Sequence, residues 1–274
     1  MTLVDLIPDS DYRFHIRLEP IEIDQFFAPT NRAEHLIEQR RHWLSTAPNT
    51  HAALLSDGAA LLTETHELLN RALCTAPTAQ PPTQTHWERC LDLGRRLEPD
   101  FLLLKLGTDA EIRLWGGCVC FPTSWSLAEK IGHPIEFIHD VVPGLNGQIG
   151  PQIHTFLTRL KPGLAWTRTN WGLSASAELN QHPERRLPRI HESTSLDQIW
   201  FRVEHQALVA LPRTGGILFG IRISMHPFSA LKAEPIAARR LARALRTMPE
   251  AVARYKGLQL ARAHLIALLE TPIT

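Results

Sequence analysis

The chain has 274 residues, 44 % of them apolar and 21 % charged, and its 29 lysines and arginines nearly cancel 28 aspartates and glutamates, leaving a net charge of +1. A balance this close leaves no long-range field to recruit nucleic acid or an anionic membrane, and the length allows one large domain or two small ones with a substantial core. No apolar run is long enough to span a bilayer, the opening MTLVDLIPDSDY is acidic where an export signal is basic, and Cys74, Cys90, Cys118 and Cys120 form no disulfide framework, so a cytoplasmic protein is expected.

Within residues 1–29, Phe14, Ile16 and Leu18 alternate with polar residues, which predicts a strand or an extended arm. Helical spacing follows from Asn31 to Leu44 and from Gly58 to Leu73, where leucines recur among charged residues. His35, His42, His51 and His66 share no ligand spacing, and solvated or capping roles are expected for them. The Pro/Thr-rich segment from Thr75 to Thr85 marks a boundary between an N-terminal helical region, 1–85, and a domain over 86–232. That domain opens with a helix from Trp87 to Leu97 and two strand-like runs, Phe101 to Gly107 and Glu111 to Phe121, joined by a turn at Thr108-Asp109-Ala110.

The stretch from Arg113 to Gly144 is the most distinctive in the chain. An apolar run ends at Pro122, and Thr123 or Ser124 can cap a short helix that Gly132 closes. Next comes Ile135 to Gly144, an apolar segment with one imidazole, His139, in its middle and a Pro-Gly stop. A histidine so placed is either a nitrogen ligand for a metal or cofactor or an ordinary hydrogen-bonded core residue. Cys118 and Cys120 lie on one face of a strand, but without a second pair they read as small buried side chains. No C-x-x-C-H is present, which excludes covalent c-type haem attachment.

A helix near Pro151 to Leu160 is followed by three strands, Leu164 to Ser174, Ile199 to Leu211 and Gly216 to Met225, the last two joined by a Pro-Arg-Thr-Gly hairpin. Two strands, several short helices and three more strands predict an α+β domain of PAS-like layout: a five-stranded antiparallel sheet covered by short helices that enclose a pocket. In the second of the late strands Ile199, Phe201, Val203, Ala207, Val209 and Leu211 share one face, and Arg202, Glu204 and Gln206 share the other. Trp166, Arg168 and Asn170 likewise share a face. These polar rows line either a pocket or solvent, and Trp166 and Trp200 on the same faces favour cover. His205, among the apolar positions, is expected in the core. From Glu234 onward the chain reads as helices packed on the domain, 233–274, with one break at Pro249 and a basic stripe of Arg239, Arg240, Arg243 and Arg246 that is a solvated face or a docking patch.

Taken together, LWGGCVCFPTSWSLAEKIG, FIHDVVPG, RTNW, RVEHQALVALPRTGGILFGIR and RYKG resemble the haem-dependent oxidative N-demethylases, a family that includes the large subunit of dimethylamine monooxygenase. The resemblance implies a PAS-like enzyme that binds b-type haem, iron protoporphyrin IX, through an axial histidine. It implies electrons from a flavin or iron–sulfur reductase subunit, and O₂ used to remove a methyl group from a secondary amine as formaldehyde. Carried over to this chain, His139 is the axial ligand, with His154 on the following helix as the alternative. The cofactor set is His139, Lys130, Arg168 and Asn170. Arg168 would serve dioxygen or a haem propionate, and Glu204 would meet the substrate ammonium. The chain departs from the pattern at Val141, where a proline is usual, and at His205, where an arginine is usual; the second lies beside Glu204 in sequence and bears on substrate range.

The chemistry explains the residue types. A neutral imidazole donates to iron, and its other nitrogen would take an acceptor such as a carbonyl or Asp140. A dialkylamine is protonated at neutral pH, so a carboxylate can hold it, and a guanidinium keeps its charge even when buried. The rival readings are a haem-containing PAS sensor without turnover, against which no kinase, cyclase or DNA-binding pattern accompanies the domain, and a scaffold that binds an apolar ligand.

Overall fold

In the computed structural model of the protein, which describes residues 2–74 and 83–272, seven strands form one antiparallel sheet. In chain order the elements are β1 (Glu19–Ile21), α1 (Ile23–Phe27), α2 (Ala33–Thr46), α3 (Pro48–His51), β2 (Ala52–Leu54), α4 (Gly58–Ala72) and α5 (His86–Arg96). They continue with β3 (Asp100–Leu106), β4 (Ile112–Cys118), α6 (Ile135–Asp140), α7 (Leu145–Thr158), β5 (Ala165–Ser174), β6 (Trp200–Leu211) and β7 (Gly216–Pro227). Four helices close the chain, α8 (Phe228–Lys232), α9 (Pro235–Thr247), α10 (Glu250–Tyr255) and α11 (Arg262–Glu270). Spatial order in the sheet is β1-β5-β6-β7-β3-β4-β2.

The expected five strands are all present, and the sheet has seven because the N-terminal region adds a short strand at each edge. β1 pairs only with Ala165 to Thr167, and β2 only with Gly116 to Cys118. Three residues carry too little alternation to announce a strand, so pairing with an exposed edge defines them. The alternating arm before β1, residues 13–18, forms no strand. The helix expected from Thr123 to Gly132 is absent: turns occupy this stretch, Ser124 and Gly132 take left-handed backbone, and Thr123 bridges to Gln181 instead of capping. β4 stops at Cys118, four residues before Pro122. α7 begins at Leu145, before the expected Pro151, which it contains. The C-terminal helices break twice, at Pro249 and again between α10 and α11. Residues 75–82, most of the expected boundary segment, lie outside the described residues.

β6 organises the packing. Its residues Phe201, Val203, Ala207, Val209 and Leu211 are buried. Phe201 and Val203 pack in a core with α8, α9, α10, α11 and Leu6 and Ile7 of the N-terminal arm. Ala207, Val209 and Leu211 join a second core with α1, α2, α4 and α5. The arginines of α9 serve this packing: Arg240 donates to the carbonyls of Val4 and Ile7, Arg243 pairs with Asp9 and Asp11, and Arg246 pairs with Glu270. Three arginines of the basic stripe therefore tie the arm and α11 down, while Arg239 is exposed.

Two histidines expected in solvent or at caps are buried, His51 against the segment that follows β4 and His66 against α5. His51 Nδ1 lies 2.9 Å from the Val119 carbonyl, and His66 Nε2 lies 3.2 Å from that of Arg89. His205 is packed as expected, 2.9 Å from Ser224 Oγ. Burial lowers the pKa of His66 and of His205 to about 4. The unfolded chain binds protons at these sites below about pH 6.5 while the folded chain does not. Stability is therefore expected to fall as pH drops from about 6.5 toward 4, and His66→Gln should flatten that slope. Urea midpoints at neutral and mildly acidic pH measure it; a parallel response in the variant would overturn the assignment.

Candidate functional site

The even positions of β6 turn to the other face of the sheet. Register places Asn170 opposite Glu204, Arg168 opposite Gln206 and Trp166 opposite Leu208, and sets Met225, Ile223 and Ile221 of β7 beside Arg202, Glu204 and Gln206. Because paired antiparallel residues share a face, the two polar rows and an apolar row from β7 form one surface. α7 covers one end, with Phe156 edge-on to Trp166 at 6.1 Å. The segment after β4 covers the other. Arg202, only 2 % exposed, donates to the carbonyls of Phe121 at 2.8 Å and Pro122 at 3.4 Å, and through Nε to Thr123 Oγ1 at 2.8 Å.

Thr123 passes this constraint to Glu204. Its hydroxyl donates to Glu204 Oε1 at 2.6 Å, while Gln206 Nε2 donates to Oε2 at 2.9 Å and Asn170 Nδ2 reaches the same oxygen at 3.4 Å. Arg202 is thus a staple that holds the covering segment and, one bond removed, the carboxylate. Burial lowers the pKa of Arg202 to about 10, and the neighbouring Glu204 opposes that fall; the guanidinium stays charged at neutral pH.

His139 lies on α6, and Ile138 beside it packs on the sheet core. Its pKa falls to about 4, first through burial and then through the charges of Arg168 and Lys130, so the ring is neutral. Among the described residues neither ring nitrogen has a hydrogen-bond partner, Asp140 included. Arg168 senses both ends of the surface: burial lowers its pKa, and Glu204 pulls the other way. Among the described residues its Nε is buried without a partner, which leaves a charged donor available to a further group. Lys130 is 9 % exposed and lies 6.0 Å from the Phe137 ring centroid. Among the described residues no three His, Cys, Asp or Glu gather as a bare ion needs. A lone imidazole flanked by two cations can serve a metal that brings its other donors within an anionic cofactor.

The structure therefore brings His139, Lys130 and Arg168 into one electrostatic neighbourhood, and Arg168, Asn170 and Glu204 into a second that shares Arg168. His154 does not join them; its Nε2 lies 3.1 Å from the Ala110 carbonyl in the β3–β4 turn. His205 points away from Glu204, because neighbours in a strand face opposite sides. Thr123, expected as a helix cap, and Gln206 are the further site residues; the alternation that groups Arg202 and Glu204 also contains Gln206, whereas nothing local points Thr123 at Glu204. Residues 60–266 match the model of the family described as haem-dependent oxidative N-demethylase, alpha subunit-like.

Proposed function

Because the chain belongs to the haem-dependent oxidative N-demethylase, alpha subunit-like family, we propose that it oxidatively removes an N-methyl group from a small secondary amine at a b-type haem, releasing formaldehyde. O₂ is the oxidant in this reading, and a flavin or iron–sulfur reductase subunit supplies the electrons. A neutral, partnerless imidazole and a hydrogen-bonded carboxylate near the same incompletely paired guanidinium carry the proposal.

These residues fit the cofactor. His139 has a free neutral nitrogen for iron, and Lys130 and the unpaired Nε of Arg168 offer cationic donors to propionates or to a polar ligand. The side chains of Leu208, Ile221 and Ile223 offer an apolar wall. Haem, when bound, supplies the oxidation of the N-methyl carbon. The protein supplies position. Glu204, held by Thr123 and Gln206, accepts an N–H of the substrate ammonium, which fixes which side of the amine faces the cofactor. Asn170, donating to the same carboxylate, belongs with this substrate end.

Glu204→Gln keeps the shape and removes the charge. It is expected to weaken amine binding by the worth of a charge-assisted hydrogen bond, about 1.5–3 kcal/mol or roughly one to two decades in affinity, while haem content stays unchanged. Titration of dimethylamine and larger secondary amines against the Soret band of both proteins tests this. Identical curves would make Glu204 structural, and a haem-containing parent with no amine response or turnover would favour the sensor.

A further inference from the structure

The strand glycines are Gly116 and Gly117 in β4, Gly172 in β5, and Gly216 and Gly220 in β7. Four of them have their reason in the protein. A Cβ on Gly116 would stand 2.6 Å from Leu54 Cδ1 and one on Gly220 2.7 Å from the Phe26 ring, while on Gly117 and Gly216 it would collide with the Phe101 carbonyl and with Leu61. Gly172 is different: a Cβ there would have no protein atom within 4 Å. The register of β5 on β6 runs through it without a bulge, and its backbone is not left-handed. Glycine inside a strand costs stability relative to a residue with a side chain, and where neither a bulge nor a close-packed neighbour requires it, the approach of a ligand is the remaining use.

Its place in the sheet says which ligand. Trp171 and Leu173, on either side of it, pack on the C-terminal core, so Gly172 faces the site. It follows Arg168 and Asn170 on that face and pairs with Arg202, which sets it diagonal to Glu204, about 7–8 Å away as such neighbours are. Arg202 is committed to Phe121, Pro122 and Thr123 and bounds the space over Gly172 on the β6 side; Asn170 and Ser174 flank it along β5. On the outer side β5 has no strand partner beyond Thr167, and the Trp171 carbonyl accepts Lys256 Nζ at 2.9 Å without that side chain filling the space. We propose that this space takes the second N-substituent of the amine, so that the substrate class is N-methyl amines whose other substituent is an unbranched chain longer than methyl. This rests on the amine-binding reading given above. With an N–H on Glu204 and the reacting methyl turned toward Arg168 and His139, the second substituent points the other way along β5, past Asn170 to Gly172. The width is that of one missing side chain between Asn170 and Ser174, which admits a straight chain and excludes a branched one.

Selectivity tests this. Soret titration of the holoprotein with dimethylamine, N-methylethylamine, N-methylpropylamine and N-methylbutylamine gives affinity against chain length, which in the parent should rise by up to about fourfold for each methylene that leaves water. Gly172→Val fills the space, and the preference for N-methylbutylamine over dimethylamine should fall on the order of tenfold. Gly172→Ala should lie between the two and carries the test if the valine variant does not fold. Because a Cβ meets nothing and a β-branched residue suits a strand, the urea midpoint of the valine variant should equal or exceed that of the parent. A parent without the preference, a preference that survives in the valine variant, an equal loss for all four amines, or a lowered midpoint in both variants overturns this inference alone. A haem-containing parent that responds to none of the amines overturns the amine reading and this inference together.

Discussion

Replacing His139 with alanine is expected to leave a folded protein that no longer retains haem. Among the described residues the imidazole has no hydrogen-bond partner, it occupies the last turn of a six-residue helix, and alanine is the residue most compatible with helix. Folding should therefore change little. A haem bound as proposed would lose the ligand to its iron, leaving only the neighbouring cations Arg168 and Lys130 to hold its periphery. Soret absorbance and extracted haem per chain measure the loss, and far-ultraviolet circular dichroism of the apoproteins checks the fold. Full haem content with an unchanged spectrum would move the ligand elsewhere. His154 is not ready for that role, since releasing it breaks its contact with Ala110.

Arg40→Met is expected to cost about 3–5 kcal/mol of stability, the range for leaving a buried charge without its partner. Arg40, on α2, is 0 % exposed and pairs with Asp100 at the start of β3, while its Nε donates to the Gly94 carbonyl at 2.6 Å. Asp100 in turn accepts the backbone N–H of Cys120 at 2.7 Å and of Phe121 at 3.0 Å. Those bonds set the path of the chain from β4 to Thr123, so the pair stabilises the segment that orients Glu204. Removing only the arginine strands the carboxylate among apolar side chains and sulfur. Removing both charges, as Arg40→Met with Asp100→Asn, should recover part of the loss, because a neutral amide costs less to bury. Urea midpoints of the three proteins test this; a single-variant cost below about 1 kcal/mol would mean that solvent reaches Asp100 or that the segment rearranges.

Much of the sheet was legible because alternation is a local signal. The five long strands, the hairpin at Pro212 to Gly215, and the division of β6 into an apolar face and an Arg202–Glu204–Gln206 face all follow from side chains two residues apart pointing the same way. The motif combination resembles a family that the match over residues 60–266 bears out. Burial of Cys118 and Cys120 was equally plain, since both lie in an apolar strand-like run. The three-residue edge strands and the turns in place of a helix at Thr123 to Gly132 were not legible, because partners far away in sequence decide them: Gly116 to Cys118 for β2, Gln181 for Thr123.

The same boundary runs through the site. From its sequence alone the chain determines which residues share a strand face and which histidine sits alone in an apolar segment, because those relations span a few residues and follow from backbone geometry. Only the tertiary structure decides that Arg40 is buried against Asp100, that Thr123 links Arg202 to Glu204, and that Lys256 reaches back 85 residues to Trp171. Each of these is a polar group leaving water, and such a group is stable only where a distant segment supplies its partner; the pairing is therefore a property of the assembled fold.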